Sequence, residues 1–168
     1  DFQSVLEVGA GDGFGSRIVK DSVGTLDLTD VEILNLKHYD KKNIKSKYFL
    51  HDFCKSNLKK KYDGIYLLDV IEHINKKDEI SFIQNITSSL NENGILIIGT
   101  PSLESQKYAS PTAKIGHINC KNAKELKKLS ENFFERVFIF SMNDEVLHTG
   151  FHPMSHYIFS LCTLKKRL

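Results

Sequence analysis

The chain has 168 residues, enough for one domain with a full core and too few for two. Hydrophobic residues make up 40%, charged residues 26%, and the net charge is only +2, a composition that excludes a disordered chain and offers no bulk basic field for nucleic acid. Three widely spaced cysteines, Cys54, Cys120 and Cys162, include no C-x-x-C pair, so neither a disulfide framework nor a zinc ribbon is indicated, and a reducing, cytoplasmic setting fits.

In chain order, residues 3–8 (QSVLEV) read as a buried strand running into a glycine turn, and 14–21 read as a helix. Residues 23–28 (VGTLDL) form a second strand, 31–43 a weak helix, 47–50 (KYFL) a third strand and 63–69 (DGIYLLD) a fourth. Ile80, Ile83, Ile86 and Leu90 recur at helical spacing within 76–90. Asn93-Gly94 marks a turn before a fifth strand, 95–100 (ILIIGT), which Pro101 stops. A helix over 121–131 precedes two last strands, 134–141 and 156–163, joined without a helix and therefore free to pair antiparallel. Strands alternating with helices predict an α/β fold: a Rossmann-like, seven-stranded, mostly parallel sheet with an antiparallel last strand and helices on both faces. Residues 1–168 read as a single domain. No apolar run approaches the roughly 18 residues of a membrane span. Lysine runs at 41–47, 55–61 and 121–128 have acids or apolar residues nearby and read as solvated faces, so nucleic acid is not an expected partner.

Gly9, Gly11, Gly13 and Gly15 follow the first strand at every second position. Such a turn lets a nucleotide-like ligand approach the backbone at the carboxyl ends of the strands. The dinucleotide pattern G-x-G-x-x-G fails, because counting from Gly9 reaches Phe14 and counting from Gly11 reaches Ser16. Glu7, two residues before the first glycine, would repel a pyrophosphate and suits a ligand with positive charge or with amine and hydroxyl donors.

"LEVGAGDG" resembles the first motif of class I S-adenosylmethionine-dependent methyltransferases. "GTLDLTD", "HDF" (51–53), "YDGIYLLDVIEHI" and "NENGILIIGTPS" resemble, in order, the family's later motifs, the last two in the form found in its small-molecule, ubiquinone-methyltransferase-like branch. The resemblance covers nearly the whole chain and implies a single methyltransferase domain with a further helix preceding Asp1. It implies S-adenosyl-L-methionine as cofactor, with Gly9, Gly11 and Gly13 beside its amino acid tail and Glu7 as a tail-side or turn-bracing acid. Asp27 falls at the ribose, Asp52 and Phe53 at the adenine, and Asp69 at the end of the fourth strand. Asp30 and Glu32 are the alternatives to Asp27 should the second strand end two or three residues later.

The expected acceptor is a small molecule, a hydroxyl of a sugar or surface-glycan precursor, for which a histidine base is the default. His73, in "DVIEHI", and His117, in the loop after the fifth strand, are candidates. So are Asp144 and His148 in "MNDEVLHTGFHPMSHY" (142–157). His148, His152 and His156 stand four apart, but Gly150 and Pro153 oppose a helix there, and no metal is expected. The absence of an Asn/Asp-Pro-Pro-aromatic motif after the fourth strand disfavours methylation of DNA-base amino groups. The alternative function is a cofactor-binding module of the same fold without catalysis.

Overall fold

A computed structural model describes residues 2–39 and 46–167. The expected helical residues 40–43 and the lysines at 41–45 lie outside the described residues. Among the described residues, eight strands form one sheet: β1 (Ser4–Val8), β2 (Thr25–Asp30), β3 (Lys47–Leu50), β4 (Tyr62–Leu68), β5 (Leu90–Pro101), β6 (Phe134–Asn143), β7 (Val146–His148) and β8 (Tyr157–Lys165). Their spatial order is β3-β2-β1-β4-β5-β8-β6-β7. The first five run parallel, and β8 inserts antiparallel between β5 and β6. The eighth strand, β7, is a three-residue edge strand hairpinned to β6 at Asn143–Val146 and is too short for an alternating pattern to reveal.

Period-two side-chain alternation splits the core between the two faces. Leu6 and Val8 of β1 and Ile65 and Leu67 of β4 face the larger cluster with Phe82, Ile83 and Ile86 of α3 (Glu79–Ser88) and Leu126 and Leu129 of α5 (Ala123–Glu131). Ile80, expected on the buried stripe of α3, is exposed, and Phe82 takes the inward position. α5 starts on a capping box in which Asn122 and Glu125 satisfy each other's backbone N–H. The opposite face is covered more thinly by α1 (Ser16–Lys20) and α2 (Ile33–His38), with Val5, Ala10, Leu26, Leu28 and Tyr39 as its buried cluster. Beside α1 an apolar hollow of about 300 Å³ stays open over Val5, Tyr66, Leu68, Ile97 and Phe159. The remaining helix, α4 (Pro111–Gly116), lies in the connection between β5 and α5.

Two boundaries differ from the sequence reading in ways that matter for the site. β2 begins and ends two residues later than expected, because Val23 and Gly24 form its approach: Gly24 N–H donates to Phe2 O, and a Cβ at Gly24 would lie 2.7 Å from Gln3 O. β5 begins at Leu90, and the Asn93-Gly94 turn is a bulge within it, where the register with β4 slips between Tyr62 and Gly64. No helix among the described residues is long and apolar enough to cross a membrane.

Candidate active site

The first glycines solve a packing problem before they serve a ligand. Gly9 has φ +76°, and a Cβ there would sit 2.3 Å from Val70 Cγ2, so only glycine lets β1 turn under the end of β4. Gly11, at φ +58°, has open space where its side chain would be. Gly13, at φ +81°, closes the turn through its N–H to Ala10 O. Glu7 lies behind the turn and accepts from Ser16 Oγ at the start of α1 and from Tyr66 Oη at 2.8 Å. Burial pushes its carboxyl above the usual carboxylate range, against those two hydrogen bonds.

A cavity of about 500 Å³ opens at the carboxyl ends of β1, β2, β3 and β4. Gly9, Gly11, Asp52, Phe53, Asp69 and His73 of the expected site line it together. Asp30, Glu32, Asn35, His51, Val70, Ile74 and Phe82 complete most of the wall. Among the described residues four acids line this cavity and no lysine or arginine does, a lining that disfavours a pyrophosphate and favours cationic or hydroxyl-rich ligands. A larger cleft of about 590 Å³ at the amino end of β4, against Phe2 and Asn91–Asn93, carries no comparable chemistry. Of its two acids, Asp63 is spent on the N–H groups of Gln3 and Ser4 and on Asn91, and Glu92 is the other.

Asp27, expected at the ribose, stands in mid-strand away from the cavity wall. Its buried carboxylate takes Lys60 Nζ at 2.7 Å and Tyr62 Oη at 2.9 Å. The later end of β2 puts Asp30 at the mouth instead, where Oδ2 accepts from Gly11 N at 3.0 Å and Oδ1 from Glu32 N at 2.9 Å. Asp52 accepts from Cys54 N and pairs with Lys55, and those contacts hold its carboxyl below the usual range against burial. Phe53 is buried, its ring edge-on to both His51 and Phe82. Asp69, just past β4, holds a left-handed backbone at φ +55°, its N–H near Gly99 O and Tyr157 Oη at 3.1 and 3.2 Å. A non-glycine residue held there costs roughly 1–3 kcal/mol and points to a functional constraint.

His73 ends a 3₁₀ turn (Ile71–His73), and its ring meets that of His117 with centroids 5.2 Å apart. Burial and then the His73 charge pull the His117 pKa below that of a free histidine, with Asp69 opposing. The loop bearing His117 is laced to the turn: His73 Nδ1 donates to Gly116 O at 2.9 Å and Asn119 N donates to Glu72 O at 2.9 Å. Behind it, buried Lys121 gives Nζ to Glu79 Oε2 at 2.7 Å and to Asn119 Oδ1 at 2.9 Å. Glu72 and Gln106 were not singled out in the sequence; the only signal was the position of Glu72 inside "DVIEHI". The structure does not bring Asp144 and His148 to this place. Asp144 sits in the β6–β7 hairpin at φ +50°, and His148 accepts from Gly150 N on the edge strand, four strands and roughly 19 Å from β4.

Residues 1–133 match the family described as "Methyltransferase domain". Among solved structures, a methyltransferase from Thermotoga maritima described as a possible histamine N-methyltransferase has a TM-score of 0.76 at 15% identity over 98% of this chain and 83% of its own. The DhpI complex with S-adenosylhomocysteine gives 0.75 at 13% identity, covering 97% and 77%. The N-methyltransferase NodS from Bradyrhizobium japonicum, bound to the same product, gives 0.70 at 13%, covering 97% and 78%. No curated protein sequence matches the chain. With most of its length inside the matched family and the same sheet topped by an acid-lined cavity, the chain belongs to the methyltransferase-domain family and is a class I enzyme that uses S-adenosylmethionine.

Proposed function

We propose that the chain transfers a methyl group to a hydroxyl of a small molecule, a sugar or glycan precursor, delivered beside His73 and His117. The observation that carries this is one cavity joining the glycine turn, the acids Asp30, Asp52 and Asp69, and His73. In it Gly9 and Gly11 leave the backbone open to the amino acid tail, and Asp69 offers a carboxylate to that tail's ammonium. Asp30 accepts from the ribose hydroxyls in place of Asp27. Asp52 accepts from the adenine amino group, with Phe53 behind the ring. The cofactor supplies a methyl carbon already activated by its sulfonium, so the protein's work is alignment, exclusion of water and removal of the acceptor's proton. His73 and His117 are the groups placed for that last task; their Nδ1 atoms are engaged by Gly116 O and Gln106 Oε1.

The test is calorimetric titration with S-adenosylhomocysteine. Asp30→Ala is expected to weaken binding about 10–100-fold, the loss of charge-assisted hydrogen bonds worth roughly 1.5–3 kcal/mol. Asp27→Ala is expected to lower stability and leave the affinity within about twofold. The reverse pattern would return the ribose to Asp27, and no binding by the wild-type chain would overturn the site. Methyl transfer to sugar precursors in the presence of S-adenosylmethionine then tests the acceptor class.

A further inference from the structure

We propose that Glu72, His73 and His117 bind a divalent first-row transition-metal ion at the edge of the cofactor cavity. The sequence shows no such site, since the fold joins an adjacent Glu-His pair to a histidine in a distant loop. One ligand atom from each of the three lies within 4.8 Å of the others. Ligands sharing an ion at about 2.0–2.2 Å stand roughly 3–3.5 Å apart, so small ring rotations close the set.

Hydrogen bonding fixes which ring nitrogens keep a lone pair. His73 Nδ1 contacts Gly116 O at 2.9 Å and His117 Nδ1 contacts Gln106 Oε1 at 2.8 Å. Both partners only accept, so each Nδ1 carries its ring's proton and each Nε2 is left with a lone pair. Glu72 is wholly buried; Thr100 Oγ1 donates to its Oε2 at 3.0 Å, and its Oε1 has no hydrogen-bond partner among the described residues. His73 Nε2 stands 3.9 Å from that Oε1, too far for a hydrogen bond. The His73 Nε2 lone pair thus stands beside a buried carboxylate oxygen that takes no donor among the described residues, and the Nε2 of His117 completes the proposed set. A bare buried carboxylate oxygen is costly, and a cation would satisfy all three groups together.

Carbonyl-type acceptors on the outer nitrogens are the usual support of metal-bound histidines. The Asn119 N–H to Glu72 O and the buried Lys121–Glu79 pair hold the two segments in register before any ion arrives. Two imidazoles and one carboxylate suit zinc, manganese, iron(II) or cobalt better than magnesium or calcium, which favour oxygen. Three protein ligands also leave coordination positions open, and His73 lines the cavity. On the reading that methyl transfer goes to a hydroxyl, the ion would take that hydroxyl, lower its pKa and replace the two histidines as the means of deprotonating it, because coordination occupies the Nε2 lone pairs a histidine base would use. The hydroxyl proton then passes to water, the oxygen forms the C–O bond as the C–S bond breaks, and the sulfur keeps the pair as a neutral thioether.

The experiment is titration of the chelator-treated chain with Co²⁺, read by visible ligand-field absorption, with S-adenosylhomocysteine titrated in parallel. One tight Co²⁺ per chain is expected. Glu72→Gln and His117→Ala should each weaken it about 100-fold, and Gln106→Ala about 10-fold, with S-adenosylhomocysteine affinity unchanged. That unchanged affinity also reports that buried Glu72→Gln has folded, and the half-exposed His117→Ala gives an independent check. Wild type that binds S-adenosylhomocysteine but no Co²⁺, or Co²⁺ binding indifferent to both substitutions, overturns the metal site and leaves the methyltransferase reading standing. Co²⁺ bound through Glu72 and His117 without S-adenosylhomocysteine binding supports the metal site and overturns the proposed cofactor cavity.

Discussion

Gly9 and Gly11 look alike in the sequence and do different work. An added Cβ at Gly9 meets Val70 inside the molecule, while at Gly11 it meets nothing. Gly9→Ala is therefore expected to cost about 3 kcal/mol or more through overpacking and a left-handed backbone together. Gly11→Ala should cost only about 1–2 kcal/mol of left-handed strain while weakening S-adenosylhomocysteine, because the open space at Gly11 adjoins the cavity. Urea melts and calorimetry separate the two effects. The glycine turn and Glu7 were legible because a nearly unbroken apolar run, with Glu7 its one acid, leads straight into the glycines. Asp30 was legible only as an alternative to Asp27, because Val23 has the chemistry of a strand residue, and only the close packing of Gly24 against Gln3 shows that β2 starts later.

The segment after α4 is positioned by a buried ion pair rather than by regular structure. Lys121 is 1% exposed, and its partner Glu79 also takes Lys76 and Asn119. Burial raises the Glu79 carboxyl pKa, but the hydrogen bonds from Lys121, Lys76 and Asn119 outweigh it and hold it below its ordinary 4.5. A carboxylate with a depressed folded pKa adds stability that is full above about pH 4.5 and is lost as the pH falls through the folded value. Wild type should lose stability in that acid window. Lys121→Met should cost about 3–5 kcal/mol near neutrality and flatten the acid slope, as read by urea melts across the pH range. Periodicity found α3 and α5 but not α4. It had no purchase on residues 101–120, where hydrogen bonds between distant segments set the chain's path, nor on β7, which is shorter than one alternation can show.

Across the whole molecule, the carboxyl ends of the parallel strands carry the ligand cavity and the antiparallel hairpin forms one lateral edge of the sheet, so cofactor binding and closure of the fold are built from separate parts. S-adenosylhomocysteine at 100 times its Kd should stabilise the folded chain by about 2.7 kcal/mol, which at 168 residues raises Tm by about 5–10 °C. A melt unmoved by saturating ligand would place binding outside the folded state described here. Asp69 turns this linkage against itself. Its left-handed backbone is a standing cost that glycine would relieve, so Asp69→Gly is expected to raise the ligand-free Tm by about 1 kcal/mol worth of stability while weakening the cofactor. Selection for heat resistance alone would therefore enrich that replacement and erase the function. A thermostability screen of this fold needs ligand present, so that the strain is scored together with the binding it supports.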